Sequence, residues 1–146
     1  MRIFVAGASG QVALSLKEAV IGSDIELITA GRPDFDISDP TNMRSAIEAF
    51  KPTAIVNAAA YTAVDAAEEN EAAANAVNAI GAEALAEIAA DLEVPFVHIS
   101  TDYVFSGNKN GAYTENDSAA PTGAYGRSKL AGELNVMLKN PNSIIL

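Results

Sequence analysis

Residues 2–20 constrain the fold more than any other stretch of the chain. Arg2-Ile3-Phe4-Val5-Ala6 is a short strand-like run, broken by Gly7-Ala8-Ser9-Gly10. Apolar residues then recur at Val12, Leu16 and Val20, the spacing of one helix face. A strand, a glycine turn and a helix in that order make the first half of a dinucleotide-binding unit. Gly7 permits the tight turn, and Gly10 lets the backbone approach a pyrophosphate at the helix N-terminus, beside Gln11 and Val12. The spacing is G-x-x-G-x-x-A, with Ala13 standing where a third glycine would sit. Two glycines three apart are also common turn punctuation, so the weight comes from their position directly after the first strand.

The rest of the chain repeats that alternation. Ile25–Ala30 reads as a second strand, followed by Gly31-Arg32 where dinucleotide folds place either an acidic residue for a ribose hydroxyl or an arginine for a 2′-phosphate. Arg32 tilts the expectation to NADP(H), with NAD(H) also accommodated because Asp34 and Asp36 lie close by; the bland alternative is an exposed loop arginine. Asp39-Pro40 starts a helix with a buried stripe of Met43, Ile47 and Phe50, stopped at Lys51-Pro52. Thr53–Ala58 is a third, continuously apolar strand. Ala60, Tyr61 and Thr62 leave its carboxyl end, where small side chains let a ligand lie against the backbone. A long helical region is expected from about Val64 to Leu92, with Val77, Ile80, Ala84, Ile88 and Leu92 on one face. Glu68, Glu69 and Glu71 read as its solvated side. Asn78 either bridges this helix to the active-site strand or is an ordinary satisfied asparagine.

Val94–Ile99 is the fourth strand and delivers Ser100 and Thr101 at its carboxyl end. His98, the single histidine, reads as structural. A loop rich in glycine, asparagine and proline fills 102–123 and suits a binding loop. The last helix opens near Ala124 and is expected to bury Leu130, Leu134 and Met137 or Leu138, leaving Tyr125 and Lys129 off that stripe. Ser143–Leu146 begins a fifth strand. Four strand–helix alternations without repeat or linker predict one α/β domain over residues 1–146, a Rossmann-type doubly wound parallel sheet with right-handed crossovers. The order breaks off inside a strand, which leads to the expectation of an NAD(P)-binding domain cut short before a substrate domain. A net charge of −10 argues against nucleic acid or an anionic membrane as partner. The absence of cysteine and of a signal-like start fits the cytoplasm.

Chemistry concentrates in Ser100-Thr101-Asp102-Tyr103 and Tyr125-Gly126-Arg127-Ser128-Lys129. Residues four apart share a helix face, so Tyr125 and Lys129 point the same way, and an ammonium beside a phenol is expected to lower the phenol's pKa. With the Thr101 hydroxyl, these side chains could act together on one carbonyl.

Taken with Gly7-x-x-Gly10-Gln11-Val12, Asp36-Ile37-Ser38-Asp39-Pro40, Val56–Asp65 and Asn78-Ala79-x-Gly81-Ala82, these blocks carry a resemblance over the whole chain. The sequence resembles the extended short-chain dehydrogenase/reductases, nearest to those that reduce a nucleotide-linked keto sugar. The resemblance implies NADPH-dependent reduction of the C4 keto group of dTDP-4-dehydro-L-rhamnose, with a Thr101/Tyr125/Lys129 triad. It implies that Gly10, Gln11 and Val12 meet the pyrophosphate, that Asp36 and Ile37 flank the adenine, and that Ala60, Tyr61 and Thr62 line the cofactor. Thr101 and Asp102 would also face the nucleotide sugar. No metal ligand is named; a homodimer is compatible with the family. Such proteins are about twice this length, so the chain alone is expected to be weakly active or inactive. The rival readings are a non-catalytic regulatory subunit of the methionine adenosyltransferase type, and a nucleotide-sugar epimerase or dehydratase of the same superfamily.

Overall fold

A computed structural model describes residues 1–41 and 43–146. The apolar runs become five parallel strands in the order β2-β1-β3-β4-β5. They are β1 (Arg2–Ala6), β2 (Glu26–Ala30), β3 (Ala54–Asn57), β4 (Phe96–His98) and β5 (Ile144–Ile145). Phe4 lies opposite Ile28 on one side and Ile55 on the other, and Asn57 stands beside His98. β1 therefore lies between β2 and β3, and the chain reverses direction across the sheet there. In open α/β sheets that reversal opens a crevice beyond the carboxyl ends of the strands. The fold class is the Rossmann-type parallel sheet that strand–helix alternation predicts.

Helix α1 (Gln11–Ala19) joins β1 to β2, and α2 (Met43–Phe50) joins β2 to β3. The β3–β4 crossover carries α3 (Val64–Glu69), α4 (Glu71–Asn75), a π-helical turn (Ala76–Gly81) and α5 (Ala82–Asp91); α6 (Ala124–Lys139) precedes β5. Met43 and Ile47 of α2, Leu85, Ala86 and Ala89 of α5 and Val136 of α6 share one core with Phe4, Ile55 and Phe96 of the sheet. Because right-handed crossovers moving in opposite directions across a sheet put their helices on opposite faces, α1 lies on the other side. No helix among the described residues is long and apolar enough to cross a membrane.

Three expectations from periodicity are corrected. The helix expected from Asp39 is described from Met43; the Asp39 carboxylate instead accepts the Thr41 N–H at 3.0 Å in a turn of its own. The stretch from Val64 to Leu92 is segmented, not one helix, and Ile80 is 55% exposed. Asn70 interrupts the stretch first, ending α3 and capping α4, and at the π turn i→i+5 bonding inserts an extra residue into the cycle, which turns Ile80 off the buried face. On α6 the buried residues are Ala124, Tyr125, Gly126, Ser128, Lys129, Gly132 and Val136, whereas Leu134 and Leu138 are exposed. The inward face is therefore the one that carries Tyr125 and Lys129.

Candidate functional site

A groove of about 730 Å³ opens at the reversal point. Its walls are the β1–α1 turn (Gly7, Ala8, Ser9, Gly10), the segment after β2 (Gly31, Arg32, Phe35–Ser38) and the segment after β3 (Ala58–Thr62), closed by Ala73, Ala76 and Val77. Gly7 adopts φ +107°, and a Cβ there would stand 3.0 Å from the Ala58 carbonyl, so two backbones meet where only glycine fits. A Cβ on Gly10 would find nothing within 4 Å, which leaves the turn open toward the groove. Gly10 starts α1 without a side-chain cap, so the first helical N–H groups have no cap in the protein. Gln11 and Val12 open α1 just beyond; among the described residues their side chains are not part of the wall.

Arg32 reaches the same wall and makes no ion pair among the described residues. Asp36 is held by the backbone N–H and the hydroxyl of Ser38, at 2.9 and 2.7 Å. The Ser38 hydroxyl and N–H, with Arg32 nearby, keep its carboxyl below the usual range against a small opposing cost of burial. Ile37 beside it is buried, and its carbonyl lies where a Cβ on Gly81 would come within 2.5 Å. The π turn thus packs backbone to backbone against the loop that carries Asp36 and Ile37.

Two buried asparagines shape the segment after β3. Asn57 donates to His98 Nδ1 at 3.0 Å and accepts the Ala59 N–H at 3.1 Å. His98 is held neutral, its pKa lowered to about 3 by burial first and the Lys129 ammonium second. Asn78 accepts the Tyr61 N–H at 2.8 Å, donates to the Tyr61 carbonyl at 3.1 Å, and donates to Ser128 Oγ at 2.9 Å. It is a bridge, joining the π turn to Tyr61 and to α6, not to the strand. Ser128 Oγ in turn donates a hydrogen bond to the Tyr125 carbonyl at 2.7 Å. Tyr61 lines the groove and also packs against the buried cluster of Ala67, Ala74, Ala124 and Tyr125.

Thr101 and Tyr125 meet at that end, and Lys129 follows Tyr125 by one turn of α6. Thr101 follows β4, where its Oγ1 accepts the Tyr103 N–H and donates to Asp102, both at 3.3 Å. The Tyr125 ring meets Tyr103 edge-on at 5.5 Å. Lys129 is 1% exposed and donates to the Ile99 carbonyl at 2.6 Å. The expected lowering of the Tyr125 pKa is corrected. Burial pushes the phenol up, and the Thr101 hydroxyl, as its hydrogen-bond partner, offsets only part of this. Lys129 is itself lowered to about 8 by burial, and Glu133 works in the opposite direction.

Glu68, Glu69 and Glu71 are exposed, as a solvated face should be, yet two of them also have partners. Glu68 accepts the Ala124 N–H at 2.6 Å at the start of α6, and Glu71 pairs with Arg127 Nε at 3.2 Å. Ser100 Oγ donates to Glu133 further along the same helix. A Cβ on Gly126 would overlap the Tyr103 carbonyl, and one on Gly132 the Asn78 carbonyl. Sequence reasoning gave no role to Asn57, Ser128 and Glu133, and gave Glu68 and Glu71 only that of a solvated side. The available signal was polar residues inside apolar stretches and glycines within helices.

Fold and groove together define a Rossmann-type α/β domain. The chain belongs to the RmlD substrate binding domain family, whose model matches residues 1–146. It is 51% identical over 146 residues to the dTDP-4-dehydrorhamnose reductase of Sinorhizobium fredii, covering 100% of this chain and 49% of that protein. Among solved structures it is similar to a dTDP-4-dehydrorhamnose reductase from Clostridium acetobutylicum, with TM-score 0.95, 38% identity and coverage of 99% of this chain and 52% of that one. It is also similar to the Bacillus anthracis dTDP-4-dehydrorhamnose reductase in complex with NADP, with TM-score 0.94, 33% identity and coverage of 99% and 51%. The chain spans about half the length of the relatives it matches.

Proposed function

We propose that this chain forms the cofactor-binding and proton-donating part of an NADPH-dependent reductase acting on the C4 keto group of dTDP-4-dehydro-L-rhamnose. The observation that carries the reading is Tyr61, which belongs to the groove wall and packs against the cluster around Tyr125. A cofactor lying in the groove would thus end beside the Thr101/Tyr125/Lys129 set. The groove fits a dinucleotide: Gly7 and Gly10 leave a cradle that side chains would obstruct or narrow, and uncapped N–H groups of α1 face an anion beside Gln11 and Val12. Arg32 would hold a 2′-phosphate, Asp36 and Ile37 would flank the adenine, and Ala60, Tyr61 and Thr62 would line the remainder. NADP(H) is preferred, with NAD(H) accommodated.

When bound, NADPH supplies the hydride. Tyr125 gives its phenolic proton to the carbonyl oxygen as negative charge develops there. Its raised pKa keeps the proton in place until then. Thr101 donates a hydrogen bond to the same oxygen, and Lys129 stabilises the phenolate left behind and holds the nicotinamide ribose. Thr101 and Asp102 face the sugar nucleotide, and the same reading suits a cytoplasmic protein that can pair as a homodimer. Fluorescence titration of the chain with NADPH and NADH tests the site. NADPH should bind more tightly, and Arg32→Ala should remove that preference. Tighter NADH binding would overturn the role of Arg32, and binding of neither would overturn the site.

A further inference from the structure

We propose that Glu133 is a positioning residue that keeps Lys129 in its ammonium form, its carboxylate fixed in place by the hydroxyl of Ser100. The inference deepens the reductase reading, on which its consequence for proton donation rests; the geometry stands apart from it.

Positions 125, 129 and 133 of α6 are spaced four apart and share a face. Lys129 on that face is buried and uses one of three ammonium protons on the Ile99 carbonyl. Ser100, the next residue along, donates to Glu133. The carboxyl end of β4 therefore grips α6 twice in succession, by a carbonyl at the lysine and by a hydroxyl at the glutamate. That second grip holds a carboxylate one turn from a buried cation, which by itself would be driven toward the neutral amine.

The other groups that face Lys129 cannot take this role. His98, from β4, is held neutral well below physiological pH. Tyr125, one turn earlier on α6, keeps its proton because burial raises it. Asp102, on the turn after β4, bears on Tyr125 and not on Lys129. From the π turn comes Asn78, which is uncharged and committed to Tyr61 and Ser128. Past β5, Leu146 offers its backbone oxygen to the Ser100 N–H. Among the described residues Glu133 is the carboxylate that acts on Lys129. Without it, burial would lower Lys129 further, leaving less positive charge near neutral pH to favour a Tyr125 phenolate.

The test is an NMR titration of the Lys129 side-chain 13Cε and 15Nζ signals in the intact chain, assigned by their loss in Lys129→Met. Glu133→Gln is nearly isosteric and can still accept from Ser100, so it removes charge and little else. Its Lys129 midpoint should fall by about one pH unit, a tenfold change in the ammonium-to-amine ratio. Glu133→Asp, which keeps the charge, should recover at least half of the shift. Equal midpoints in the original chain and in Glu133→Gln would overturn the proposal. Should Glu133→Gln fail to fold, Ser100→Ala serves instead: freeing the carboxylate should lower the midpoint, and no change would overturn the proposal. An NADPH titration run alongside separates the two readings. A midpoint shift without NADPH binding supports the Glu133 role and removes the reductase reading.

Discussion

His98 should make the fold sensitive to mild acid, and the size of the effect follows from its surroundings. The ring is 1% exposed, its Nδ1 occupied by the Asn57 amide, and its pKa is lowered from 6.5 to about 3. Because the folded value lies below the unfolded one, the unfolded chain takes up the proton first. The stabilising contribution is complete above pH 6.5 and diminishes as pH falls toward 3. Between pH 7 and pH 5 the unfolded chain gains nearly all of its imidazole protonation while the folded chain gains almost none. At about 1.4 kcal/mol per pH unit the loss is about 2 kcal/mol, or about 6 °C in Tm for a domain of this size. Asp36, Asp39 and Asp117 are lowered from 3.8, so their contributions fall mainly below that window. Urea unfolding at pH 7 and pH 5 measures the loss directly. His98→Gln removes the titrating group and should leave a nearly flat profile, whatever its stability at pH 7. Equal pH dependence in the two proteins would refute the argument, since it would mean the buried ring takes up its proton within the fold.

Two further outcomes test the packing and the chemistry. Gly132→Ala drives a Cβ into the Asn78 backbone carbonyl, so two helical backbones must separate. It should cost about 3 kcal/mol by thermal unfolding, while Gly10→Ala, with nothing within 4 Å of its new Cβ, should stay within about 1 kcal/mol. Under the proposed function, in a complete protein that carries this segment, Tyr125→Phe should leave NADPH affinity within about twofold and lower turnover of dTDP-4-dehydro-L-rhamnose by roughly 100-fold or more.

The strands were readable because a parallel sheet covered by helices needs continuous apolar runs, and Ile55-Val56 or Phe96-Val97 meets that need without ambiguity. The glycine turn was readable for a similar reason, since its conformation admits few residues. Helix α6 shows where pattern reading breaks down. Its inward face is Tyr125, Gly126, Ser128, Lys129 and Gly132, which a hydrophobic template scores as surface, while Leu134 and Leu138, which it would bury, face outward. Close backbone approach at Gly126 and Gly132, and hydrogen bonds from Ser128 and Lys129, replace apolar side chains there. The partners of the acidic residues were not legible because they are distant in sequence: Glu68 and Glu71 reach α6 across 56 positions, and Ser100 reaches Glu133 across 33. Ile80 was misplaced because one π turn shifts the period, and nothing in residue hydrophobicity marks such a turn.

Those distant partnerships answer the difficulty posed by the net charge of −10. A dinucleotide is anionic, and the field of the whole protein would repel it at long range. In salt, however, charges beyond about 8 Å are largely screened, so the groups at the groove and at its Tyr125 end decide. The acidic groups there are engaged by the protein's own donors. Asp36 is held by Ser38, Glu68 by the first N–H of α6, Glu71 by Arg127 and Glu133 by Ser100. Arg32 and the uncapped start of α1 remain directed at the groove. Glu68, Glu71 and Glu133, which hold α6 in place, lie outside the groove wall, in which Asp36 is the one carboxylate among the described residues. An anion in the groove would thus meet Arg32 and the start of α1 at short range, and one carboxylate, Asp36, that is already engaged by Ser38, which is how so acidic a chain can present the proposed anion site.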